Sequence, residues 1–150
     1  LDHAIDVAGD CFELAEKAGI KFIMAMGVAF FCPYQGIISD ESVFNVVSKL
    51  YKKGIRRLYL AASTGMENPI HIQRVFTAVY DRWPDLELGF HMHERTGMAA
   101  ANMFAALDAG AKSVEGSICG IGGGIAMPGG MGDIGNLPTE DIVNMLNRSE

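Results

Sequence analysis

Apolar positions recur along the chain in two alternating rhythms. Over residues 1–18, Ile5, Ala8, Phe12, Leu14 and Ala15 return at helical spacing, and Gly19 follows where a helix end often needs a positive φ. Residues 20–31 are almost all apolar, the pattern of a strand buried on both faces in a parallel sheet. Helical spacing returns at Val43, Val46, Val47 and Leu50, with Asp40 as the expected N-cap, Lys52 and Lys53 in the last turn, and Gly54 as the stop. Residues 58–62 read as a strand, and Asn68-Pro69 opens a helix striped by Ile72, Val75, Phe76 and Val79. A strand over 86–94, a helix over 97–107, a strand over 114–119, a glycine-rich loop over 120–135 and a helix opened by Thr139, Glu140 and Asp141 complete the series.

This order is a helix followed by strand–loop–helix units of about 30 residues, the size of a βα step, and it implies a parallel sheet with helices outside. The polar and glycine-rich stretches 32–36, 63–68, 91–97 and 120–136 all fall just after strands, as the loops of a barrel's catalytic face do. No G-x-G-x-x-G follows the first strand, and Gly120-x-Gly122 after the last is a weak dinucleotide signal. Four strands cannot close a barrel of eight. The expected fold is therefore α/β: the C-terminal half, about strands 5–8, of a (β/α)8 TIM barrel. Residues 1–150 are read as one partial catalytic domain of a longer barrel. A symmetric pair of half-barrels is the alternative.

Composition narrows the function. With 49% apolar and 20% charged residues, the chain has what a folded core requires. A net charge of -6 and scattered basic residues argue against a nucleic-acid surface. Lys52-Lys53 and Arg56-Arg57 read as a solvated helix end. Three widely spaced cysteines, Cys11, Cys32 and Cys119, form neither a disulfide framework nor a zinc ribbon, which suits a reducing compartment and a cytoplasmic location. No apolar run approaches the roughly 20 residues of a membrane span, and no signal peptide is evident.

The 86–94 strand carries the candidate chemistry. Side chains alternate along a strand, so His91 and His93 share a face and Met92 points away. Two such imidazoles are either a pair of metal ligands or two hydrogen-bonded histidines, and spacing alone leaves both open. Glu115 faces the barrel interior or the helix layer. Gly122, Gly123 and Gly124 are a turn or a backbone cradle for an anion; the loop's length favours the second, making them candidate substrate-binding positions. Met127 and Met131 in the same loop are candidates for a lid, and the spacing of Asp133 assigns it no role. Arg95 reads as an exposed rim residue, His3 and His71 as structural helix residues, and Cys32 as a small buried hydrophobe.

Several motifs together give a more specific signal. They are Cys32-Pro33-Tyr34-Gln35-Gly36, His91-Met92-His93, Asn102, Val114-Glu115-Gly116-Ser117, Gly120-Ile121-Gly122-Gly123 and Gly135-Asn136-Leu137-Pro138-Thr139-Glu140-Asp141. With these the chain resembles 3-hydroxy-3-methylglutaryl-CoA lyase, and more broadly the metal-dependent barrel superfamily that includes isopropylmalate and citramalate synthases. The resemblance implies a carbon–carbon lyase cleaving a 3-hydroxyacyl-CoA such as hydroxymethylglutaryl-CoA. It implies a divalent cation, Mg²⁺ or Mn²⁺, held by His91, His93, Asn136 and an aspartate on a first strand that this chain lacks. It further implies that His91 takes part in proton transfer, that the substrate is an acyl-CoA, and that the full-length protein is a homo-oligomer.

Three positions depart from the family pattern. Gly124 stands where the lyases carry a proton-transferring cysteine, Ala62 where they carry an aspartate, and Glu94-Arg95-Thr96 where Asp-Thr-Tyr is expected. These put the substrate in doubt more than the reaction type. Two other readings are a condensing acyltransferase or aldolase acting on a 2-oxo acid, against which the Cys32–Gly36 loop argues, and a non-catalytic half-barrel interaction module.

Overall fold

The computed structural model describes residues 1–122 and 134–149. In chain order its elements are α1 (Asp2–Lys17), β1 (Met24–Met26), β2 (Phe31–Cys32), β3 (Gly36–Ile37), α2 (Asp40–Lys52), β4 (Arg57–Ala62), α3 (Pro69–Arg82), β5 (Glu87–Glu94), α4 (Ala99–Asp108), β6 (Ser113–Glu115), β7 (Gly135–Asn136) and α5 (Thr139–Asn147). β1, β4, β5 and β6 lie side by side in that order, all parallel. β7 joins β5 antiparallel at its C-terminal end, and β2 and β3 form a separate small hairpin. Among the described residues, β1 pairs only with β4 and β6 only with β5, so the sheet is open at both sides.

Alternation along each strand sorts the side chains into two layers. Leu58, Leu60 and Ala62 of β4 and Leu88, Phe90 and Met92 of β5 are fully buried against the helices, where Val43, Val47, Ile72, Val75, Phe76, Val79 and Met103 meet them. Phe90 packs edge-on to both Phe30 and Phe76, at ring separations of 6.2 and 5.9 Å. The other face carries rows set by the strand register. Arg57 pairs with Glu87, joined by an ion pair of 3.0 Å; Ala25, Tyr59, Gly89 and Ser113 form the next row; Ala61, His91 and Glu115 form the last. Such stacked rows are how a parallel barrel fills its interior. Gly89 is required in its row, because a Cβ there would meet the Tyr59 ring and stand 2.7 Å from Ser113 Oγ.

Four expectations are corrected. The apolar run 20–31 yields only the three-residue β1, with Ile20 and Ile23 exposed. β1 is covered on one side only, and the chain turns away just past it, where Val28 adopts φ 54° and its N–H donates to Ser63 Oγ at 3.0 Å. Ser39, not Asp40, caps α2, accepting from the Ser42 N–H at 3.3 Å; Asp40 instead binds Arg74 at 2.6 Å and His71 at 3.1 Å. The 114–119 strand is cut to β6, because beyond Glu115 the backbone leaves β5 and Ser117 bridges to Pro138. Cys32 sits in the β2–β3 hairpin and is only half-buried.

Other expectations hold. Asn68 caps α3, accepting from the His71 N–H at 3.0 Å, with Pro69 in the first turn. His71 is a buried structural histidine. Among the described residues no helix is long and apolar enough to cross a membrane. Met127, Met131, Asp133, Gly123 and Gly124 lie outside the described residues.

Candidate metal centre

β5 delivers both histidines to the open face at its C-terminal end. Their Nε2 atoms stand 3.3 Å apart and their rings meet at 78°. β7 brings the third side chain. In the antiparallel β5–β7 pair, Asn136 lies opposite His93, and directly opposed residues put their side chains on the same face. His91, His93 and Asn136 therefore share one side of the sheet.

The polar accounting at this place is incomplete. The Asn136 amide donates through Nδ2 to the Ile121 carbonyl at 3.3 Å, which leaves Oδ1 as the free acceptor. That oxygen is buried without a partner, as are the Nδ1 atoms of both histidines. His93 is 8% exposed, and burial, followed by the neighbouring His91, pushes its imidazole below the usual range toward the neutral, ligating form. Nearby carbonyls of Ile134 and Gly135 pull the other way, at a geometry too loose to count as hydrogen bonds.

The donor set can be tested for fit to a divalent cation. Two ligand nitrogens at ~2.1 Å from one ion are separated by about 3.0 Å at a right angle and about 3.4 Å at a tetrahedral one. The observed 3.3 Å falls in that interval. Two imidazoles and an amide oxygen form a mixed N/O set suited to a hard or borderline cation such as Mn²⁺ or Mg²⁺. Among the described residues no three His, Cys, Asp or Glu side chains gather at a metal-binding point, and the Asn136 amide oxygen is the further candidate donor on the histidines' face. The two imidazoles are spaced as neighbouring ligands of one cation, and Asn136 Oδ1 is an unpartnered oxygen on the same side of the sheet.

Two glycines shape the surroundings. Gly122 has φ 139°, and a Cβ on it would stand 2.5 Å from Asn136 Nδ2, so the start of the glycine loop passes close against the asparagine. Gly65 has φ 64° and lies under β5's end, where a Cβ would stand 2.7 Å from Arg95 Cβ. Thr96 Oγ1 donates to the Gly65 carbonyl at 2.8 Å, locking the loop after β4 to the loop after β5.

Three acidic residues take positions that the sequence leaves open, for Glu115 and Glu94, or does not mark, for Glu67. Glu115 faces the interior: its Oε2 lies 3.2 Å from His91 Nδ1, because the β5–β6 register sets the two side by side. Glu94 accepts from the N–H groups of Gly97 at 2.5 Å and Ala99 at 3.1 Å, capping α4 from the strand that carries the histidines. Glu67 is 3% exposed and accepts through Oε1 from the Thr64 hydroxyl at 2.9 Å, while Oε2 has no partner. Register decides the side of Glu115, the departure from the family motif draws attention to Glu94, and nothing local marks Glu67. Cys119 is exposed at φ 55°, and its hydrogen bond with Glu140 raises the thiol's pKa, away from the reactive thiolate. Ala62, where the family resemblance leads one to expect an aspartate, is buried on the helix side, opposite the histidines.

A parallel βα sheet with its polar side chains gathered at the strands' C-terminal ends is the architecture of a (β/α)8-barrel enzyme, here about half of one. Comparison with known proteins makes this particular. The profile of the HMGL-like family matches residues 1–150, and the chain belongs to that family. It is 35% identical over 136 residues to a hydroxymethylglutaryl-CoA lyase of Bacillus subtilis (strain 168), covering 91% of this chain and 44% of that protein. It is 33% identical over 131 residues to the (R)-citramalyl-CoA lyase of Chloroflexus aurantiacus, covering 87% of this chain and 40% of that one. The HMG-CoA lyase of Acinetobacter baumannii, solved with coenzyme A and 3-methylmalate, superposes with a TM-score of 0.82 at 33% identity, covering 93% of this chain and 45% of that chain. The chain thus spans somewhat under half the length of each.

Proposed function

We propose that this chain supplies the His91–His93–Asn136 portion of a divalent-cation site in a carbon–carbon lyase acting on a 3-hydroxyacyl-CoA such as hydroxymethylglutaryl-CoA. The observation that carries the proposal is the pair of Nε2 atoms 3.3 Å apart, on the same face as an asparagine whose Oδ1 is buried and unpartnered. The relatives' names supply the reaction class. One of them acts on citramalyl-CoA, so the acyl group is a further open choice within that class.

A cation bound there would acidify the substrate's tertiary hydroxyl and fix its orientation for cleavage of the adjacent carbon–carbon bond. His91, His93 and Asn136 would hold three of its positions, two from one strand and one from its antiparallel partner. The family resemblance also gives His91 a part in proton transfer. A nitrogen that ligates an ion cannot accept a proton at the same time, so the geometry favours ligation for its Nε2. Gly122, Gly123 and Gly124 are proposed on the substrate side, where the absence of side chains lets backbone N–H groups approach an anionic group. Gly124 leaves the proton-transferring cysteine of the lyases without a counterpart at that position.

Cleavage of hydroxymethylglutaryl-CoA and citramalyl-CoA by the polypeptide that carries these residues, followed by the keto acid released, tests this reading. Cleavage that depends on added Mn²⁺ or Mg²⁺ and falls at least 100-fold in His93→Ala supports it. Cleavage unaffected by that substitution, or none of either thioester, contradicts it.

A further inference from the structure

The two histidines face each other through the same kind of nitrogen. For the 3.3 Å contact between two neutral imidazoles to be a hydrogen bond, one Nε2 carries the proton and the other accepts it, and the bare spacing does not say which. The asymmetry lies one strand away. Glu115 is the direct register partner of His91 in the parallel β5–β6 pair, and its Oε2 stands 3.2 Å from His91 Nδ1. That separation lies within ion-pair reach, although the angle is too oblique for a formed hydrogen bond, and Nδ1 has no other partner. His93 has no carboxylate beside it among the described residues: the Ile134 and Gly135 carbonyls near its ring are neutral acceptors at too loose a geometry for a hydrogen bond, and its Nδ1 is without a partner.

Resting on the metal-site reading above, we infer that Glu115 is a positioning residue for His91: its carboxylate holds the imidazole as the Nδ1–H tautomer, so that the Nε2 lone pair always faces the point shared with His93. A carboxylate beside Nδ1 can only accept, so it selects the tautomer with hydrogen at Nδ1. The proton between the two rings then belongs to His93 Nε2, which donates to His91 Nε2. To ligate through Nε2 beside His91, only His93 would have to change tautomer, giving up its Nε2 proton and taking one at Nδ1. His91 is ready to ligate beforehand. Glu115 is half-exposed, with one side in contact with water, while it reaches a ring that is largely covered.

The test needs no catalysis. Two-bond nitrogen–proton correlation spectra of the ¹⁵N-histidine-labelled chain, without metal, report each ring's tautomer. The expected result is the Nδ1–H form for His91 and the Nε2–H form for His93. Glu115→Gln, which keeps an acceptor oxygen without the charge, should retain the His91 form. Glu115→Leu should give a mixture of tautomers and weaken Mn²⁺ binding by roughly 10-fold or more, measured by the electron paramagnetic resonance of free Mn²⁺. An Nε2–H form for His91 in the wild type overturns the inference without recourse to any variant, as does an unchanged His91 tautomer in Glu115→Leu. Failure of the wild type to bind Mn²⁺ would instead remove the metal reading, and the tautomer spectra would still decide the role of Glu115.

Discussion

His93 and Asn136 stand directly across from each other in the two-residue bridge between β5 and β7. This contact joins residues far apart in sequence and turns a strand-end histidine pair into a three-donor face. It has little room at Gly122, where a Cβ would lie 2.5 Å from Asn136 Nδ2. Gly122→Ala should therefore displace the asparagine and weaken Mn²⁺ binding about as much as Asn136→Ala, roughly 10-fold, with helix content unchanged by circular dichroism. Equal Mn²⁺ affinity in Gly122→Ala and wild type would show that the asparagine's position does not matter.

Glu94 links the histidine strand to the next helix. α4 has no capping side chain at Met98, and the Glu94 carboxylate takes the N–H groups of Gly97 and Ala99 instead. Glu94→Ala should cost about 1 kcal/mol in urea denaturation, the usual loss for a helix cap, while Glu94→Gln should retain most of it.

Glu67 gives a pH-dependent prediction. Burial is the largest influence on its carboxyl and raises its pKa above the ordinary 4.5, against the Thr64 hydrogen bond, which lowers it. A carboxyl whose folded pKa is raised favours the native state fully below its unfolded value, and that contribution is lost as pH rises toward the folded value. Glu67→Gln, which cannot ionise, should match the wild type in melting temperature near pH 4. It should become progressively more stable than the wild type as pH rises to neutrality. A gap that is constant with pH would mean that the carboxyl's ionisation is not what limits stability.

Phe90 anchors the helix side of the same strand. It is fully buried and packs edge-on to Phe30 and Phe76. Phe90→Ala should destabilise the chain by about 3–5 kcal/mol, read from urea midpoints at constant slope. The neighbouring His91→Ala, on the opposite face and partly open, should cost far less.

The architecture was legible because the helices repeat their apolar stripes and the parallel strands read as continuous apolar runs. Strand lengths were less legible. Hydrophobicity over 20–31 marks what the sheet could cover, whereas pairing in β1 is set by its neighbours and by the turn at Val28. The pairing of His91 and His93 on one face follows from alternation and was visible. Placing Asn136 beside them needed the family resemblance, because a two-residue antiparallel bridge leaves no periodic trace. Glu115 was undecided for a related reason: a three-residue strand is too short for alternation to assign its faces. Asp40 was misread as a cap because Ser39 and Asp40 are both good capping residues; only the geometry shows the serine accepting and the aspartate turned to Arg74.

The most direct test of the central claim is titration of the chain with Mn²⁺, reading free ion by electron paramagnetic resonance, for wild type and for His91→Ala, His93→Ala and Asn136→Ala. A common site predicts one bound ion in the wild type and at least a 10-fold weaker affinity in every variant. Wild-type affinity retained in either histidine variant would mean that the two imidazoles do not share an ion.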